Sequence, residues 1–215
     1  GSRDYIIRSC EGSLKRLGTD YIDLYLHHAP DPRTPVAETL DALDRLIDQG
    51  KIRYAGCSNY AGWQIADAAW QADRNSIPNF VAAQNEWNLF SREIEAEVVP
   101  AAERFGLGVM PYYPLAMGLL SGKYTRGKRP ARTTRLGSGD DGEHGMLSDD
   151  NFDRMERLDA YAADHGHTLL ELAIGWLASH EVVSTVICGA TKPRQVKANA
   201  AAITAWCMTP DEMDD

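Results

Sequence analysis

The chain has 215 residues, a formal net charge of −9 and a pI near 5.1, long enough for one domain with a large buried core. An excess of carboxylates repels phosphate backbones and anionic lipid heads, so neither a nucleic acid nor a membrane surface is an expected partner. No apolar run approaches the roughly 20 residues that span a bilayer, no charged-then-apolar leader opens the chain, and a cytoplasmic protein is the simplest expectation.

In chain order, DYIIRSCEGSLKRL (4–17) has helical period and stops at Gly18, and YIDLYLHH (21–28) reads as a strand. TPVAETLDALDRLIDQGK carries a stripe of Leu40, Leu43, Leu46 and Ile47, with Thr34 as candidate N-cap, Pro35 in the first turn and Gly50 past the end. A strand IRYAGCS (52–58), a helix over 61–74, a strand FVAAQNE (80–86), a helix over 92–105 and a strand LGVMPYY (107–113) follow. After these come helices over 149–164, 168–179 and 193–203, with a fifth strand, STVICG, at 184–189; Thr168 and Glu171 have capping-box spacing. Between 124 and 148 the rhythm fails, and a loop that long in a compact domain predicts a lid or a disordered segment.

Strands and helices alternating at this interval predict an α/β class with parallel strands and right-handed crossovers, as one domain over 1–215. A doubly wound sheet and a (β/α)8 barrel are the candidates, and the lack of GxGxxG after any strand disfavours the dinucleotide-binding doubly wound type. Cys10, Cys57, Cys188 and Cys207 lie far apart without a CxxC, which predicts reduced, mostly buried thiols and neither a disulfide framework nor a metal site.

Ligands of such folds sit at the carboxyl ends of strands. Here those ends carry His27 and His28, Ser58 and Asn59, Gln84, Tyr112 and Tyr113, then Gly189 to Thr191. Neutral polar groups dominate, as an uncharged planar ligand held by hydrogen bonds and stacking requires. Strand parity puts His28 on the face of Leu24 and Leu26 and His27 on the opposite one, without saying which face is functional.

The segments GSLKRLGTDYIDLYLHHAPDP, LDRLIDQGKIRYAGCSNY, AAQNEWNLFSR, GVMPYYPLAMGLLSGKY and VICGATKPRQVKAN, in that order and spacing, resemble the aldo-keto reductase superfamily over nearly the whole chain. The resemblance implies part of a (β/α)8 barrel that binds NADPH, with NAD as the lesser option, and reduces an aldehyde or ketone. It implies a catalytic role for His28, leaving His27 structural. Ser58, Asn59 and Gln84 match positions that hold the nicotinamide carboxamide, and Tyr112 matches the ring stacked on the nicotinamide. Tyr113, Pro114 and Leu115 stand where the family has Ser-Pro-Leu along the pyrophosphate, so a serine hydroxyl is replaced. Lys123 matches a phosphate-reaching lysine, and Gly189, Thr191, Gln195 and Asn199 match contacts to the adenosine end; the family's frequent Glu beside that Asn is Ala198. Lys192, Arg194 and Lys197 at a helix start favour a 2′-phosphate.

Bland alternatives exist for each position: Ser58 and Asn59 as caps of the next helix, Gln84 and Asn85 as a turn, Tyr112 as core. The family's proton-donating tyrosine, with its lysine and aspartate, belongs to strands without counterpart here. The resemblance therefore implies a truncated chain that is inactive by itself as a carbonyl reductase. Potassium-channel β subunits resemble the same superfamily, which makes a cofactor-binding regulatory subunit the second reading, and an interaction fragment the third.

Overall fold

Residues 1–138 and 145–214 are described by the structure, a computed structural model, and they divide into two compact units. The first comprises residues 1–85 and 93–110, the second residues 86–92 and 111–215.

In the first unit, α1 (Arg3–Leu17), β1 (Ile22–His27), α2 (Val36–Asp48), β2 (Ile52–Ser58), α3 (Gly62–Asn75), β3 (Ala82–Gln84), α4 (Val98–Phe105) and β4 (Gly108–Val109) follow one another. The strands form a parallel sheet in the order β1-β2-β3-β4. Parallel strands in chain order, each joined to the next through a helix, are the succession of a partial (β/α)8 barrel and confirm the α/β class.

Local chemistry explains most element ends. Gly18 closes α1 in the left-handed conformation, its N–H bonded to the carbonyl of Leu14. Leu40, Leu43 and Leu46 are buried along α2 as the stripe predicts, each worth about 1.5–3 kcal/mol of transfer free energy. Gly56 is required in β2: a Cβ there would lie 2.5 Å from Leu26 Cδ2 and 2.9 Å from the carbonyl oxygen of Ala82.

Three expectations need correction. Thr34 is not the cap of α2; Pro35 holds that place, and the Thr34 hydroxyl donates to Asp31 at 3.0 Å. The helix expected over 92–105 is a 3-10 turn, Glu93–Ala96, then α4, interrupted at Glu97 with φ −135°. The strand expected over 107–113 ends at Val109, because Pro111 has no N–H for the ladder.

The second unit contains a parallel ladder of single bridges, Glu86 to Tyr112 and Tyr112 to Ile187. STVICG therefore contributes one bridging residue, not a full strand. Its helices are α5 (Arg135–Ser138), α6 (Asp149–Asp164), α7 (Leu169–Ala178), α8 (Pro193–Ala205) and α9 (Pro210–Asp214). Ser148 caps α6, and Thr168 and Glu171 form the expected capping box on α7. Trp176, Ile174 and Leu177 on α7 are buried, with Trp176 edge-on to Trp87 at 5.5 Å.

Of the loop expected over 124–148, residues 139–144 lie outside the described residues. The remainder is tied down: the Tyr124 hydroxyl accepts from the Leu136 N–H, and Arg126 pairs with Asp149, Asp153 and Glu156 of α6. All four cysteines are free thiols, Cys10 and Cys57 buried, Cys188 half-buried and Cys207 exposed.

Candidate functional site

In the first unit, β2 and β3 run parallel with Ser58 in register with Gln84, so both strands end in a polar side chain at one level. The Ser58 hydroxyl donates to Gln84 Oε1 at 3.2 Å. Asn59 turns out of the strand at φ 61°, a left-handed conformation that Asn tolerates better than most residues. Its backbone N–H reaches the Gln84 carbonyl at 2.9 Å, and its Nδ2 donates to Ser58 Oγ at 3.1 Å and to the His28 carbonyl at 2.9 Å. The ends of β1, β2 and β3 are thereby stitched by one amide–hydroxyl–amide chain. Gln84 Nε2 carries no partner among the described residues.

These groups do not cap the next helix. Ala61 holds that position, and its N–H donates to Gln64 Oε1 at 2.9 Å. Nor is Gln84 in a turn; it is the last residue of β3.

The two histidines separate. His28 lies beyond the end of β1 with an exposed side chain, and its backbone carbonyl is the group Asn59 engages. His27 is half-buried, its Nδ1 2.7 Å from the Tyr60 hydroxyl. Burial pulls its pKa down to about 4, so the ring is neutral near pH 7. Burial pushes the Tyr60 phenol upward.

Tyr60 was not apparent from the sequence. Its signal was only its place two residues past a strand end, where a buried aromatic can reach the neighbouring strand.

In the second unit, Tyr112 and Tyr113 meet edge to face with ring centroids 5.1 Å apart. Burial, then Glu86, raise the Tyr112 pKa. Tyr113 adopts φ 54°, and its carbonyl accepts from Asn88 Nδ2 at 3.0 Å. Asn88 is buried and accepts from the N–H groups of Phe90 and Ser91, an Asx turn whose local signal is the sequence NLFS. Above Tyr113 lies Arg135, its guanidinium carbon 4.5 Å from the ring centroid and Nη2 donating to the phenol oxygen at 2.6 Å.

Pro114 and Leu115 lead into a 3-10 helix, Ala116–Ser121, with Ala116, Met117 and Gly118 all at positive φ. Lys123 is exposed, and its Nζ occupies the space a Cβ on Gly118 would take. Gly118 is thus the residue that lets the lysine fold back.

At the start of α8, Gln195 Oε1 accepts from the Thr191 N–H, the Thr191 hydroxyl and the Lys192 N–H at 2.9, 3.2 and 2.9 Å. The helix end is therefore capped by its own chain, while Gly189, Lys192, Arg194 and Lys197 stay exposed. Asn199 is buried, with 8 % of its surface accessible. No group of three or more His, Cys, Asp or Glu suited to a metal occurs among the described residues.

Parallel strands alternating with helices and ending in hydroxyl and amide groups define an α/β protein of barrel type. The family model described as "Aldo/keto reductase family" matches residues 1–215, and the chain belongs to that family. It is 39% identical over 216 residues to a "Probable voltage-gated potassium channel subunit beta" of Oryza sativa subsp. japonica, covering 99% of this chain and 66% of that protein. A protein of the same description from Arabidopsis thaliana is 37% identical, with 99% and 66% covered. The "L-glyceraldehyde 3-phosphate reductase" of Escherichia coli O157:H7 is 31% identical, with 99% and 62% covered. The chain spans no more than about two thirds of the length of these relatives.

Proposed function

We propose that the chain is the cofactor-holding part of a longer NADPH-dependent reductase of small aldehydes or ketones. The observation that carries this reading is the Ser58–Asn59–Gln84 chain. A carboxamide presents one acceptor and two donors, and a hydroxyl beside two side-chain amides complements it. On the same reading Gln84 Nε2 donates to the carboxamide oxygen; Tyr112, in the second unit, is assigned to the cofactor as a stacking ring.

The cofactor supplies hydride when bound. The chain's own residues orient it and exclude water. His28, exposed just past the end of β1, is assigned to donate a hydrogen bond to a carbonyl oxygen from its imidazole. The proton that completes reduction is assigned to a tyrosine outside these 215 residues. Lys123 is assigned to the cofactor phosphates. Gly189, Thr191, Gln195 and Asn199 are assigned to the adenosine end, Asn199 as a buried support because its side chain is enclosed. The exposed cations Lys192, Arg194 and Lys197 at the α8 N-terminus support NADPH over NADH.

No helix among the described residues is long and apolar enough to cross a membrane. Four free thiols suit a reducing compartment, and we assign the protein to the cytoplasm.

The test is NADPH oxidation by the longer protein with a panel of short aldehydes and ketones, with the His28→Ala variant beside it. Carbonyl-dependent turnover that falls in the variant supports the reading. NADPH binding without turnover of any carbonyl overturns it and favours the second reading, a regulatory subunit, which the two potassium-channel-type relatives support.

A further inference from the structure

In the first unit, helix α3 buries one side and leaves the other bare. Ile65, Ala68, Ala69 and Ala72 are buried, whereas Trp63 and Trp70 are each 65 % exposed. The sequence spacing puts the two indoles two turns apart on one line, about 10 Å along the helix axis. Trp70 meets the half-exposed Phe105 of α4 edge to face at 6.3 Å, which widens the patch. A single exposed apolar side chain needs no explanation; two tryptophans in line beside a third ring form a patch of the kind that another surface covers.

The charges beside this line select the occupant. Asp67 and Arg74 have the same two-turn spacing, and at about 100° per residue both lie on one flank of the Trp63–Trp70 line, within about 60° of it. Asp67 Oδ1 accepts from Gln71 Nε2 at 3.4 Å, a long bond, and Arg74, exposed, forms no ion pair among the described residues. Asp73 projects from the other flank, about 100° from Arg74.

A surface with an acid and a base two turns apart on one flank complements itself. A two-fold axis in the plane of contact, passing between Trp70 and Gln71, sets α3 antiparallel to its copy and turns like flanks toward each other. Asp67 then opposes the partner's Arg74, and Arg74 the partner's Asp67. The Trp70 rings of both copies pack beside the axis, and Trp63 reaches over the end of the partner's helix. A parallel arrangement would instead set Asp67 against Asp67 and Arg74 against Arg74, which repel.

We propose that the outward face of α3 is the interface of a homodimer, occupied by a second copy of this chain in that antiparallel register. Indoles bury about 150 Å² or more apiece, so the four in the pair place the contact among the small, reversible interfaces rather than the obligate ones. The inference rests on α3 and α4 alone and does not depend on the residues assigned to NADPH.

The test is sedimentation equilibrium of the longer protein over about 1–100 μM, with circular dichroism to verify that every variant folds. The native protein associates reversibly. Asp67→Arg and Arg74→Asp each set like charges against one another at two places and weaken association about tenfold or more, and the two substitutions combined restore it. Trp63→Gln, at an exposed position, weakens it about tenfold. A monomer at every concentration would overturn the proposal, with shielding of the indoles from acrylamide then pointing to a segment of the longer chain over this face and free quenching to a different partner. Association unchanged by the single reversals, or not recovered in the double one, would overturn it as well.

Discussion

The side-chain amide of Asn59 donates to the backbone carbonyl of His28 at 2.9 Å, so a residue at the end of β2 fixes the residue just past the end of β1. Asn59→Ala removes that bond and its partner to Ser58, at about 0.5–1.5 kcal/mol each. It also places a Cβ without a local hydrogen bond at φ 61°, adding about 1–2 kcal/mol of strain. Asn59→Gly loses the bonds and relieves the strain. Urea unfolding will show Ala less stable than Gly; equal midpoints would mean that the left-handed backbone is not retained.

Burial of His27 makes stability depend on pH. The folded pKa of His27, about 4, lies below the ordinary value of 6.5, so the unfolded chain binds the proton more readily. Stability from this group is full above about pH 6.5 and is lost progressively as pH falls towards about 4. His27→Phe will flatten the profile of unfolding midpoint in that window. Tyr60→Phe, which removes the 2.7 Å bond, will cost about 1 kcal/mol at neutral pH.

Gln195 caps its own helix. Gln195→Ala strips the acceptor from two backbone N–H groups and one hydroxyl at the start of α8, where Lys192 offers no side-chain cap. The expected loss is about 1 kcal/mol in thermal or urea unfolding, with faster amide exchange at Thr191 and Lys192. Unchanged exchange there would show that the cap contributes nothing.

Arg135 clasps Tyr113, and Tyr124 holds Leu136, which should protect 124–138 from protease. Arg135→Ala will speed tryptic cleavage after Lys128. Tyr113→Phe, which keeps the stacked ring, will have a smaller effect. The closing lid expected over this stretch predicts further protection by NADPH, and identical cleavage rates with and without cofactor would refute it.

The elements legible in the sequence are those whose ends are written locally. Gly18, the Leu40–Leu43–Leu46 stripe and the Thr168–Glu171 box act within a turn or two of their own helix, and the structure keeps all three. What misled had two sources. Thr34 is drawn to Asp31, a competing partner three residues back, instead of its helix, and STVICG is reduced to one bridge because pairing depends on a distant neighbour that periodicity does not reveal. The strand-end positions Ser58, Asn59 and Gln84 were readable, since parallel strands bring their ends together. The Tyr60 and Arg135 contacts were not, because each joins side chains far apart in sequence.

Fluorescence titration of the purified chain with NADPH, for the native sequence and Gln84→Ala, addresses the cofactor cradle itself. Saturable one-to-one binding, weakened about tenfold by Gln84→Ala through loss of about 1.4 kcal/mol, is the expected result. Absence of saturable binding, or equal affinity in the two proteins, would contradict the assignment of Ser58, Asn59 and Gln84 to the nicotinamide carboxamide.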